Sequence, residues 1–131
     1  METSAFTIAV ESNDEDFSLD QTLFMKSYLE EQSPPGQEFR AEQLRAKLNE
    51  DEAGGALEPI LSIILAAPVV REFARILVTY IKSREAIQKT KVSQLKVKIK
   101  NSQGQELELD ATNLSEDDSA LAERIAKMIK K

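Results

Sequence analysis

Between Ala56 and Arg84 the chain reads ALEPILSIILAAPVVREFARILVTYIKSR, its most apolar stretch. A membrane span, a core helix and a partner-binding helix are all open to such a stretch, and each gives a different protein. A span needs about 20 consecutive apolar residues. Here the uncharged run covers only twelve residues, Pro59 to Val70, before Arg71, Glu72 and Arg75 interrupt it. A run of about 10–14 suits a buried core helix or an interfacial segment. Val70, Phe73, Ala74, Leu77, Tyr80 and Ile81 recur at spacings of three and four, which places them on one side of a helix. Arg71, Arg75 and Lys82 fall on the opposite side. Leu57 to Leu65 is apolar nearly all round, as in a helix buried on several sides. Pro59 suits a first helical turn, where its missing N–H costs nothing. Pro68 does not suit an interior, because it removes a hydrogen bond and clashes with the carbonyl of Ile64. The expectation is a long apolar helix over about 56–84, kinked or broken near Pro68.

The length, 131 residues, fits one domain, 1–131, with a real core. There is no Cys and no His, which excludes disulfides, thiolate chemistry and cysteine zinc sites and removes the commonest general base. No basic n-region with a long apolar run opens the chain, so a cytoplasmic protein is expected. The net charge of −6 is unevenly spread. Residues 1–55 carry 4 basic and 13 acidic side chains, residues 56–105 carry 9 and 3, and residues 106–131 carry 4 and 7. Overall acidity argues against a nucleic-acid partner.

Phe6, Ile8 and Val10 alternate with Thr7, Ala9 and Glu11, which reads as a half-buried strand over about 5–11. Glu11, Asp14, Glu15 and Asp16 follow, without the central Gly and terminal Glu of an EF-hand loop. A solvated turn ahead of a helix N-terminus is the reading, with Ser18 and Gln21 as a capping box. That helix runs over about 18–32, with Leu19, Leu23, Tyr28 and Leu29, and Phe24 beside them, as its apolar stripe. Ser33-Pro34-Pro35-Gly36 ends it. Residues 37–53 have helical composition, yet Leu44, Ala46 and Leu48 alternate with Arg45 and Lys47. Either state is open. A strand over about 43–48 is favoured because it would complete a β-α-β unit with the first strand. Gly54-Gly55 marks an entry to the apolar helix.

Lys96, Lys98 and Lys100 alternate with Leu95, Val97 and Ile99, and Glu106, Glu108 and Asp110 alternate with Leu107 and Leu109. This is a hairpin over about 93–111, and its register follows from the pattern. Apolar residues must share one face, and a loop of Ser102-Gln103-Gly104 then sets Ile99 against Leu107 and Val97 against Leu109. Lys100 meets Glu106, Lys98 meets Glu108 and Lys96 meets Asp110. Gly104 takes the left-handed position of such a loop. Ser115 is expected to cap a last helix over about 116–130, with Leu121, Ile125, Met128 and Ile129 as its buried stripe.

Every strand candidate alternates, so only one sheet face is apolar. The fold class expected is α/β (α+β), a small two-layer sandwich. Its three- or four-stranded mixed sheet has the helices packed on one face.

REFARILVTYIKSR, at Arg71 to Arg84, followed by LKVKIKNSQGQELELDA, at Leu95 to Ala111, resembles the effector-associated constant component family of bacterial conflict systems. Tyr80-Ile81-Lys82-Ser83-Arg84 stands where that family has an aromatic, an aliphatic and a basic-serine-arginine run, and Gly104 is its turn glycine. LFMKSYLEEQ is similar to the family's early helix. The segment 37–53 and Pro68 depart from it. The resemblance implies a non-catalytic adaptor in immunity, encoded beside effectors such as caspase-like or trypsin-like proteases and signalling NTPases. It carries over no catalytic residue, cofactor or metal. The expected partner is an effector or signalling protein encoded nearby, and the expected docking residues are Arg71, Arg75, Lys82 and Arg84. Arg can grip a carboxylate through two parallel hydrogen bonds. The alternative is a membrane-associated or self-oligomerising module that uses the apolar helix 56–81.

Overall fold

The computed structural model describes residues 2–37, 39–45 and 57–130. Among the described residues lie five strands and four α-helices, in the order β1 (Thr3–Ser12), α1 (Glu15–Glu31), β2 (Arg40–Arg45), β3 (Leu57–Ala66), α2 (Val70–Ser83), α3 (Glu85–Lys91), β4 (Leu95–Asn101), β5 (Glu106–Asp110) and α4 (Asp118–Lys130). The strands form one sheet in the order β2-β3-β1-β4-β5, and every neighbouring pair is antiparallel. The sheet is therefore antiparallel rather than mixed, and it has five strands rather than three or four.

The fifth strand comes from the apolar stretch. Leu57–Ala66 is not the first half of a helix: it is β3, lying between β1 and β2. Leu61, Ile63 and Leu65 point into the core, and Ile60, Ser62 and Ile64 point away from it. A short continuous apolar run fits a buried strand as well as a buried helix, so periodicity could not separate them. Pro59 is not in a helical turn. It lies where the β2–β3 register shifts between Gln43 and Arg45, so that the missing N–H falls at a bulge. Gln43 Nε2 donates to the carbonyl of Glu58 at 3.0 Å across this irregularity. The break near Pro68 is where expected, but it joins a strand to a helix: residues Ala67–Val69 form a single 3-10 turn ahead of α2.

β2 covers Arg40–Arg45, so residues 37–53 do contain a strand. Ala46, Leu48 and Gly54-Gly55 lie outside the described residues. β1 and β2 run the same way, but β3 is inserted between them, so β1-α1-β2 is a split crossover rather than a pair of adjacent strands.

The hairpin has the register expected, from Lys96 opposite Asp110 to Lys100 opposite Glu106. Gly104 has φ +82°, and Gly104 N–H donates to the Asn101 carbonyl at 3.1 Å. The ion pairs, however, run diagonally, as the twist of a sheet favours. Lys96 meets Glu108 at 3.1 Å, and Lys98 meets Glu106 at 3.9 Å and Glu11 of β1 at 2.9 Å. The hydrogen bond to Glu11 raises the Lys98 pKa.

One sheet face is buried by Phe6, Ile8, Val10, Leu61, Ile63, Leu65, Leu95, Val97, Ile99 and Leu109. On that side α1 packs on β1, β2 and β3, and α4 packs on β1, β4 and β5. α2 lies against both helices. Its Phe73 meets Phe6 and Phe39 edge-on, at ring-centroid distances of 5.3 and 5.2 Å.

The helix starts and the α1 stripe differ from expectation. Asp14, not Ser18, caps α1, accepting from Phe17 N–H at 3.1 Å. Ser18 and Gln21 are buried instead, with Thr22, Met25 and Leu29. Leu23 and Phe24 are exposed. The helix starts earlier than expected, at Glu15, and its buried face is the one that carries Thr22, Met25 and Leu29 rather than Leu23 and Phe24. Asp117, not Ser115, caps α4, accepting from the N–H groups of Ser119 and Ala120 at 3.1 and 3.3 Å.

Candidate functional site

α2 begins after the Pro68 turn and carries Glu72 in its first turn and Lys82 in its last, which suits the helix dipole. Its apolar stripe is buried as the spacing predicts. That leaves Arg71, Arg75 and Lys82 on one face, beside the antiparallel helix α4. Arg71 Nη2 stands 3.5 Å from Glu123 Oε1. Lys82 Nζ donates to the carbonyl of Glu116 at 2.6 Å and is paired with the Asp118 carboxylate. Arg124 of α4 is paired with Glu116. Arg75 lies between Arg71 and Lys82 and, among the described residues, its guanidinium has no carboxylate partner. A groove lined by Arg71, Arg75, Ser119, Ala122 and Glu123 opens at this point.

Arg84 is not part of that face. It sits past the end of α2 on the α1 side, where its Nε donates to Gln21 Oε1 at 3.0 Å. Its guanidinium lies 5.3 Å from the Phe24 ring centroid and 5.6 Å from that of Tyr80, both within cation–π range. The Tyr80 ring also packs on Tyr28, at 5.2 Å. Burial pushes the Tyr80 phenol up to about 12, with the nearby Arg84 charge opposing. The hydroxyl has only long contacts to Gln21, 3.4 Å to its carbonyl.

The structure thus brings Arg71, Arg75 and Lys82 together along the α2–α4 seam and places Arg84 apart. Two groups of residues went unrecognised in the sequence. Asp118 and Glu123 face the α2 cations, and the Glu116 carbonyl accepts from Lys82 while its carboxylate pairs with Arg124; the sequence signal is an acidic helix start at one end of the chain and a basic helix face in its middle. Phe24, with 55% of its surface exposed, covers Arg84. The carboxylates at and after the end of β1 are placed too: Glu11 pairs with Lys98 and Asp14 caps α1. What the seam can do chemically is hold an anionic side chain, using Arg75, whose donor fork is unpaired among the described residues, and Arg71, whose contact to Glu123 is long at 3.5 Å.

A family model described as Effector Associated Constant Component 1 matches residues 7–129, a span from within β1 to within α4. No curated protein and no solved structure matches the chain.

Proposed function

This chain belongs to the Effector Associated Constant Component 1 family, and on that footing we propose that it is a non-catalytic adaptor in a bacterial conflict system. It docks an effector, such as a caspase-like or trypsin-like protease, or a signalling NTPase encoded nearby. It works in the cytoplasm and takes neither nucleic acid nor membrane as its partner. The observation that supports the docking site is Arg75: an exposed guanidinium with no carboxylate partner among the described residues, held at an open groove between two packed helices. An acidic side chain of the partner fits there, and Arg71 can turn from Glu123 to join it, because exposed pairs of this kind are worth at most about 1 kcal/mol.

The alternative of a membrane-associated module rested on one apolar helix over 56–81. From Leu57 onward that stretch is a strand, a turn and a separate amphipathic helix, and among the described residues no helix is long and apolar enough to cross a membrane.

The test is a pull-down of neighbouring gene products with Arg75→Glu and with the Arg71→Glu, Arg75→Glu pair, alongside circular dichroism. The fold should hold, since surface changes usually cost within about 0.5 kcal/mol. Binding should weaken in the single variant and further in the pair, through the on-rate if these contacts lie on the rim. Undiminished binding by folded variants would remove the seam as the docking site. Failure of the wild type to bind any neighbouring product would remove the adaptor reading.

A further inference from the structure

Both sheet edges carry charge, but in different patterns. Along β5 the outward side chains are Glu106, Glu108 and Asp110, all acidic. A second copy paired with that edge would set carboxylates among carboxylates, a common defence of exposed edges. Along β2 the outward side chains include Arg40 and Glu42, of opposite sign and flanking Ala41. Both are exposed, and among the described residues neither has an ion-pair partner. They border a shallow depression lined by Arg40, Ala41, Glu42, Ser62 and Ile64. Ile64, directly across from Arg40, exposes 60% of its surface.

We infer that β2 is a self-pairing edge, joining β2 of a second copy antiparallel about a two-fold axis at Ala41. In that register Arg40 of each copy lies opposite Glu42 of the other, so two cross-strand ion pairs form at once. Ala41 meets Ala41, and Phe39 lies across from Gln43. The neighbouring registers lack this match. Centring on Arg40 sets Arg against Arg, and centring on Glu42 sets Glu against Glu. Centring on Gln43 leaves Glu42 against Leu44. The shift in register between Gln43 and Arg45 turns the strand beyond that point, which confines pairing to the Phe39–Gln43 end. The product is a continuous sheet of two copies, with the helices of both on the same side. A two-fold interface of this kind is self-complementary by construction. It leaves the α2–α4 seam of each copy open, so it is independent of the docking proposed above.

Sedimentation over a wide concentration range tests this on the full chain. The wild type should dimerise reversibly. Arg40→Glu and Glu42→Arg should each weaken the dimer by roughly tenfold or more, because each turns two attractive pairs into two repulsive ones. An equimolar mixture of these two variants should form a heterodimer, positions 40 and 42 being both acidic on one strand and both basic on the other. The double variant Arg40→Glu, Glu42→Arg should pair like the wild type. Thermal melts of all three variants check that the fold is kept. A wild type that stays monomeric at every concentration overturns the inference. So does a dimer indifferent to both single reversals, or a mixture of folded variants that does not reassociate.

Discussion

Asn101 ties the hairpin to the last helix, and its removal tests how the sheet and α4 hold one another. The side chain is buried, with 5% of its surface exposed. Its Oδ1 accepts from Gln103 N–H and Gln105 N–H, both at 3.0 Å. Its Nδ2 donates to the Met128 carbonyl at 3.0 Å and to Gln105 Oε1 at 3.1 Å. Met128 is in the last turn of α4, where carbonyls lack an intrahelical partner. In Asn101→Ala these bonds disappear together. The two loop N–H groups can turn to water, and each bond lost costs about 1 kcal/mol net. The half-buried Met128 carbonyl loses its donor at the cost of about 1–2 kcal/mol more. The expected destabilisation is about 2–4 kcal/mol in urea unfolding, with an unchanged m-value. Hydrogen exchange should speed at Gln103 and Gln105 and along the last turn of α4, while α1 keeps its local protection relative to global unfolding. A loss below about 1 kcal/mol would refute the reasoning, since the amide would then be no more than a surface group.

Tyr80 should titrate late: with Tyr28 replaced by Phe, the phenolate absorbance should rise with a midpoint of about 12. The folded pKa lies above the unfolded one, so the stability from a neutral buried Tyr80 is complete below pH ~10 and falls as pH rises towards ~12, by up to about 2–3 kcal/mol. A midpoint near the free-tyrosine value would show the ring to be wet. Asp14→Ala and Asp117→Ala should each cost about 1 kcal/mol by chemical unfolding through loss of a helix cap, and Ser115→Ala should cost little. Phe73→Ala, which leaves Phe6 and Phe39 without their edge-on partner, should cost about 3–5 kcal/mol; a loss below 1.5 kcal/mol would mean the core closes over the gap.

The site was legible in part. The α2 cation row could be read because Val70, Phe73, Leu77 and Ile81 fix which side of the helix faces inward, and Arg71, Arg75 and Lys82 then have one place to go. That Arg84 turns to Gln21 and Phe24, or that α4 supplies carboxylates to Arg71 and Lys82, depends on residues tens of positions away. No local pattern holds that information.

The chain's own sequence determined the hairpin to the residue. Two strands with one apolar face each, joined by a loop that needs glycine at Gly104, admit a single register from Lys96 opposite Asp110 to Lys100 opposite Glu106. It also determined the buried sides of α2 and α4. Tertiary structure alone decided Leu57–Ala66. Its outward positions include Ile60 and Ile64, so the stretch shows no polar alternation, and the same residues would suit a helix buried all round. The choice came from β1 and β2, whose backbone groups pair with it on both sides, with the shift in register giving Pro59 a place where it need not donate. Backbone pairing with distant segments, not side-chain pattern, makes that stretch a strand.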